Sequence, residues 1–170
     1  MRASGAARTQ DIASSLEARA RSDKANSANG GRDYGHDMTR FAIDPLTLVQ
    51  LADGHLSVSA EHQLVAPNSI RSQALDLLLQ RVRSGELSEP EAMRLHERMT
   101  ELKMRLLGDR VSRRTAWRIA LEHDWDTIQD AEYLAVAKLQ ADALVTANPV
   151  LAAKAAGVVP LAELADVVSG

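Results

Sequence analysis

Apolar and polar positions alternate between two regimes along the chain. Short continuous apolar runs in "RFAID", "QLVAPNS" and "ALVTANP" each stop at a polar residue beside a proline: Asp44-Pro45, Pro67-Asn68 and Asn148-Pro149. Such a run reads as a strand buried on both faces, and a polar cap next to proline reads as a helix start. Three units of this kind predict βα repeats in a parallel sheet. "GVVPLAEL", which follows the short helix "PVLAAKAAG" with Gly157 in its stop position, predicts a further strand.

Between these strands the spacing is helical. "NSIRSQALDLLLQRVRSG" runs from Asn68 to a stop at Gly85. "SEPEAMRLHERMTELKMRLLGD" then opens with Ser88 and Glu91 spaced as a capping box and carries Leu95, Met99, Leu102 and Leu106 as one core-facing stripe. The two predict a helical hairpin over one face or edge of the sheet. "RRTAWRIALEHD" and "DTIQDAEYLAVAKLQAD" predict two more helices, the second with Thr127 and Asp130 at capping-box spacing. Residues 1–37 hold Ala, Ser, Gly and mixed charge with hardly a large apolar side chain, which predicts a flexible tail before a domain at 38–170. The expected fold is a three-layer α/β/α domain with a four- to five-stranded, mainly parallel sheet.

Composition narrows the function. A chain of 170 residues that is 45% hydrophobic forms one core. With a formal charge of −3, an anionic partner must be met by a local basic patch. The absence of cysteine removes thiolate chemistry, disulfides and Cys-ligated zinc, and fits a reducing cytoplasm. No apolar run is long enough for a membrane span and the start lacks a secretory h-region, so a cytoplasmic protein with no membrane partner is expected. Aromatics at 3% argue against a surface that stacks successive bases. Trp117 and Trp125 are expected in the core. His62, His96 and His123 lack metal-ligand spacing and are expected to pack or face solvent. No G-x-G-x-x-G follows the first strand, which argues against dinucleotide binding.

In an open parallel sheet, ligands bind beyond the carboxyl ends of the strands. Asp44, Gln73, Asp130 and Asn148 fall at or just past such ends. Each is an acid or the amide counterpart of one, and each taken singly is an ordinary cap or helix-edge residue. Their convergence would make a site for a hard divalent ion, Mg²⁺ or Mn²⁺, which prefers oxygen ligands.

"FAIDPLTLVQLADG", "HQLVAPNSIRSQALDLLLQRVRSGELSEPEA" and "TIQDAEYLAVAKLQADALVTANPVLAAKAAGV" resemble successive blocks of PIN-domain proteins, especially VapC-type toxins of bacterial toxin–antitoxin pairs. The resemblance covers roughly residues 40–165, and "DAEYLAVAKLQADALVTAN" is its most specific piece. It implies a metal-dependent endoribonuclease with an RNA substrate, a cognate antitoxin and a homodimer. Mg²⁺ or Mn²⁺ would be held by carboxylates at the C-terminal edge of the sheet. Position by position, Asp44 and Asp130 match metal-binding acids, whereas Gln73 stands where the pattern has Glu and Asn148 where it has Asp. An amide keeps the shape and loses the charge, and its NH₂ cannot ligate a cation.

Asp126, Glu132 and Asp76 are the nearest stand-ins, although Asp76 is expected to point about sixty degrees away from Gln73 on its helix. The alternative to a weakened ribonuclease is a catalytically inactive PIN-like module that binds RNA or protein. Candidate contacts to RNA are Arg71, Arg81, Arg83, Arg110, Arg113, Arg114 and Arg118.

Overall fold

The structure is a computed structural model that describes residues 38–168; the tail expected at 1–37 lies outside them. The chain enters at β1 (Thr39–Ile43) and turns at once into α1 (Pro45–Asp53). β2 (His62–Pro67) leads into a hairpin of α2 (Ile70–Arg83) and α3 (Glu89–Glu101), followed by β3 (Met104–Leu107). Helices α4 (Arg110–Glu122) and α5 (Gln129–Gln140) precede β4 (Ala143–Val145), α6 (Pro149–Ala155) and β5 (Leu161–Ala162). The result is a three-layer α/β/α domain.

All five strands are parallel, in the order β3-β2-β1-β4-β5. Connections run outward from β1 to β3 and then return to β4 on the other side. The strand order therefore reverses between β1 and β4, where the carboxyl ends leave a crevice. The strands earn their continuous apolar runs by burial on both faces: Phe41, Ala42, Ile43, Leu64, Val65, Ala66, Leu144 and Val145 are all in the core.

Helix α5 is apolar nearly all round, with Ala131, Tyr133, Leu134, Ala135, Val136 and Ala137 buried. It lies against β1, β2 and β4 and carries α4 on its outer side. The small residues Ser112, Ala116 and Ala120 belong to the buried side of α4. Helices α1, α2 and α3 pack on one another.

Local chemistry sets most helix ends as expected. Asp44 caps α1 ahead of Pro45, Asn148 caps α6 ahead of Pro149, and Ser88 with Glu91 forms the reciprocal box at the start of α3. The Ser88 hydroxyl and amide hold the Glu91 carboxyl below its ordinary pKa. Gly85 and Gly157 follow α2 and α6 with φ of +78° and +76°. A Cβ at Gly85 would meet nothing within 4 Å, so Gly85→Ala carries only the left-handed backbone cost. We expect a loss of about 1 kcal/mol in a urea melt; an unchanged midpoint would refute the cap.

Three expectations are corrected. The stripe expected over Leu95, Met99, Leu102 and Leu106 belongs to two elements: Leu102 is extended (φ −64°, ψ 119°), the helix ends at Glu101, and Met104–Leu107 is an edge strand. Pairing with β2, from Leu64 opposite Met104 to Pro67 opposite Leu107, overrides a pattern that fits either period. Thr127 and Asp130 do not make a capping box, because Ile128 is the N-cap of α5 and no side chain caps it. Trp117 is 60% exposed, outside the buried side of α4 that Ala116 and Ile119 belong to.

Candidate active site

Asp44 leaves the end of β1 directly into the crevice and is 1% exposed. Its Oδ1 accepts from the Thr47 amide at 2.8 Å, which caps α1, and its Oδ2 accepts from the Thr146 hydroxyl at 2.7 Å. Thr146 Oγ1 also accepts from the Asn148 amide at 3.0 Å. The neighbouring Thr47 hydroxyl donates to the Val145 carbonyl at 3.3 Å and accepts from the Ala147 amide at 3.1 Å. These bonds lock the ends of β1 and β4 together.

The four residues singled out from the sequence meet in one cleft. Its volume is about 390 Å³, and its walls include Asp44, Gln73, Asp76, Gln80, Gln129, Asp130, Tyr133 and Asn148. Asp76 belongs to this wall along with Gln73: an offset of about sixty degrees on the helix leaves both on the side that faces the cleft, with Leu77 and Gln80. Asp126 and Glu132 do not line it; Glu132 instead accepts from the Ser69 hydroxyl at 3.1 Å.

Each amide already has a partner. Gln73 Oε1 accepts from the Tyr133 hydroxyl at 2.8 Å. Asn148 Oδ1 accepts from the amides of Val150 and Leu151 at 2.9 and 3.4 Å, at the start of α6. The Tyr133 phenol is held far above the ordinary tyrosine range, first by burial and then by the charge of Asp44, with smaller contributions from Glu132 and Asp130; Ser69 opposes the shift.

Asp130 carries a direct counter-charge. Lys154, from the last turn of α6, places its ammonium 2.5 Å from Asp130 Oδ2. The same ammonium sits 4.7 Å from the centre of the Trp125 ring, on which His123 stacks at 5.2 Å. Trp125 is half-buried and packs against the edge of the core, in line with the expectation for it. Neither Thr146 nor Lys154 is flagged by the sequence pattern; Lys154 lies 24 residues from its partner, and only the fold brings the two together.

These residues do not fit a divalent cation well. Mg²⁺ and Mn²⁺ need several oxygen donors with charge to match. Here one of the two expected acids is paired with Lys154, and both amide oxygens are engaged. Among the described residues no group of three or more His, Asp or Glu side chains is placed to hold a metal ion.

Outside the cleft, α4 presents a basic face. Arg110, Arg114 and Arg118 are exposed there beside Val111, Trp117 and Leu121. Among the described residues none of these arginines lies within 4.0 Å of a carboxylate oxygen, whereas Arg81 is committed to Glu86 at 2.7 Å. His62 meets Phe41 edge-on at 5.1 Å. No helix among the described residues is long and apolar enough to cross a membrane.

No family model matches the chain, and no curated protein matches it. Among solved structures, the chain is similar to the crystal structure of PAE2754 from Pyrobaculum aerophilum, with a TM-score of 0.58 and 23% identity. That similarity covers 78% of this chain and 94% of the other, and it concerns the fold.

Proposed function

We propose that this chain is a PIN-like domain that binds RNA in the cytoplasm without hydrolysing it, its cleft being the altered counterpart of a metal-dependent nuclease site. The observation that carries this reading is the cleft itself. By the sequence resemblance Asp44 and Asp130 match acids of such a nuclease, and in the cleft they share, Gln73 and Asn148 are neutral and Lys154 already answers Asp130. An antitoxin-like protein or a second copy of the chain would fit the same reading as a partner.

The α4 face supports RNA as ligand, since its exposed guanidinium groups suit phosphates and Trp117 offers one ring for a base. The test is a labelled mixed RNA pool incubated with the protein in Mg²⁺ or Mn²⁺. The expected result is a salt-sensitive mobility shift with the RNA intact. EDTA-sensitive cleavage would overturn the reading in favour of a weakened ribonuclease, for which Asp76 on the cleft wall is the specific supporting observation. Absence of any shift would refute RNA as the ligand.

The same assay yields a second expectation. Replacing Arg110, Arg114 and Arg118 together by alanine should lower affinity and flatten the dependence of log K on log salt by about 2, at roughly 0.7 per phosphate contact on a single strand. An unchanged slope would place the RNA elsewhere.

A further inference from the structure

We infer that Lys154 is the resident cation of the cleft and that it keeps divalent ions out. The inference rests on the PIN-like reading of the site, and its object is the residue responsible for the misfit with a metal. The ammonium lies 2.5 Å from Asp130 Oδ2, the distance of a tight charge-assisted hydrogen bond. The Trp125 ring beneath it, 4.7 Å away, holds the same charge from a second side. Both Lys154 and Asp130 are 30% exposed at the side chain, so the pair is shielded in part from water and from salt. Lys154 belongs to the helix that Asn148 caps, and its chain position is fixed by the buried neighbours Leu151 and Ala155. The root of the lysine side chain is therefore held beside Asp130, on the cleft wall, by the packing of α6.

An ion entering beside Asp130 would meet a positive charge at contact distance and would have to displace it. A monovalent charge tethered to the protein thus supplies the compensation that a carboxylate site otherwise takes from a soluble metal. With Gln73 and Asn148 neutral, Lys154 answers Asp130 and leaves Asp44 and Asp76 as the remaining acids of the cleft wall. This account differs from one in which the two amides alone abolish metal binding, because it assigns the exclusion to a side chain outside the acidic pattern.

The two accounts separate in a titration with Mn²⁺ alone, read by the electron paramagnetic resonance of the free ion. The unsubstituted chain should show no saturable binding in the low-millimolar range. Lys154→Met and Lys154→Gln should each bind one ion at least tenfold more tightly, and adding Asp130→Asn should remove that gain. Lys154→Arg, which keeps the charge, should stay closed to the ion. Circular dichroism of each variant verifies that it is folded, and the partial exposure of Lys154 makes both neutral replacements tolerable.

Saturable binding by the unsubstituted chain as tight as in the neutral variants would overturn the inference, and so would a gain below tenfold in both. Because the readout is ion binding, it is independent of RNA. Failure here with intact, shifted RNA leaves the functional reading standing, whereas cleavage by the unsubstituted chain defeats that reading whatever Lys154 does.

Discussion

Asp44→Ala is expected to destabilise the fold by about 2–4 kcal/mol, combining a lost N-cap with a buried amide and a half-buried hydroxyl left without their carboxylate acceptor. The carboxylate is almost wholly buried, and its two oxygens serve different elements: the first turn of α1 through Thr47, and the end of β4 through Thr146. Thr146 in turn receives the amide of Asn148, which caps α6. Removing the carboxylate therefore loosens two helix starts at the point where the sheet changes direction. Asp44→Asn should lose only about 1 kcal/mol, since an amide oxygen still caps α1 and the threonine hydroxyl can turn to accept from the NH₂. Urea denaturation of the three proteins decides this. An alanine variant within 1 kcal/mol of the parent would mean that Asp44 does not join β1 to β4.

Raising the pH should unfold the parent chain sooner than its Tyr133→Phe variant. The Tyr133 phenol titrates above its ordinary value in the folded state, because burial and the charge of Asp44 oppose the phenolate. A group whose folded pKa is raised contributes stability that is complete below its unfolded pKa, near 10 for tyrosine, and is lost as pH rises toward the folded value. The loss amounts to about 1.4 kcal/mol for each pH unit above 10. At pH 8 the parent should lead by about 1 kcal/mol, the worth of the hydrogen bond to Gln73. By pH 12 it should trail by about 2 kcal/mol, so that the two stability curves cross. Parallel curves would contradict the buried phenol. Groups common to both proteins cancel in the difference.

Where local chemistry decides structure, the chain was readable. A polar residue followed by proline at the end of an apolar run places Asp44 and Asn148 at strand ends, and the Ser88–Glu91 spacing places the start of α3. The parallel sheet follows from the repetition of such units. That Asp44, Gln73, Asp130 and Asn148 share one cleft follows from the rule that strand carboxyl ends converge.

What escaped reading depends on partners distant along the chain. Met104–Leu107 continues a helical stripe on paper and becomes a strand only because β2 offers a free edge. Trp117 looks like a core residue until the small residues Ala116 and Ala120 take the inner side of α4. The pairing of Lys154 with Asp130 requires α5 and α6 to flank one crevice, a fact of topology with no local signature.

The central claim is that two amides and one lysine stand between this cleft and a working carboxylate site. Cleavage of a mixed RNA pool in Mn²⁺, comparing the parent with Gln73→Glu, Asn148→Asp and Lys154→Met combined, tests it most directly. The account predicts that the parent leaves RNA intact while the triple variant cuts it and EDTA stops the cutting. EDTA-sensitive cleavage by the parent, or none by a folded triple variant, would contradict it.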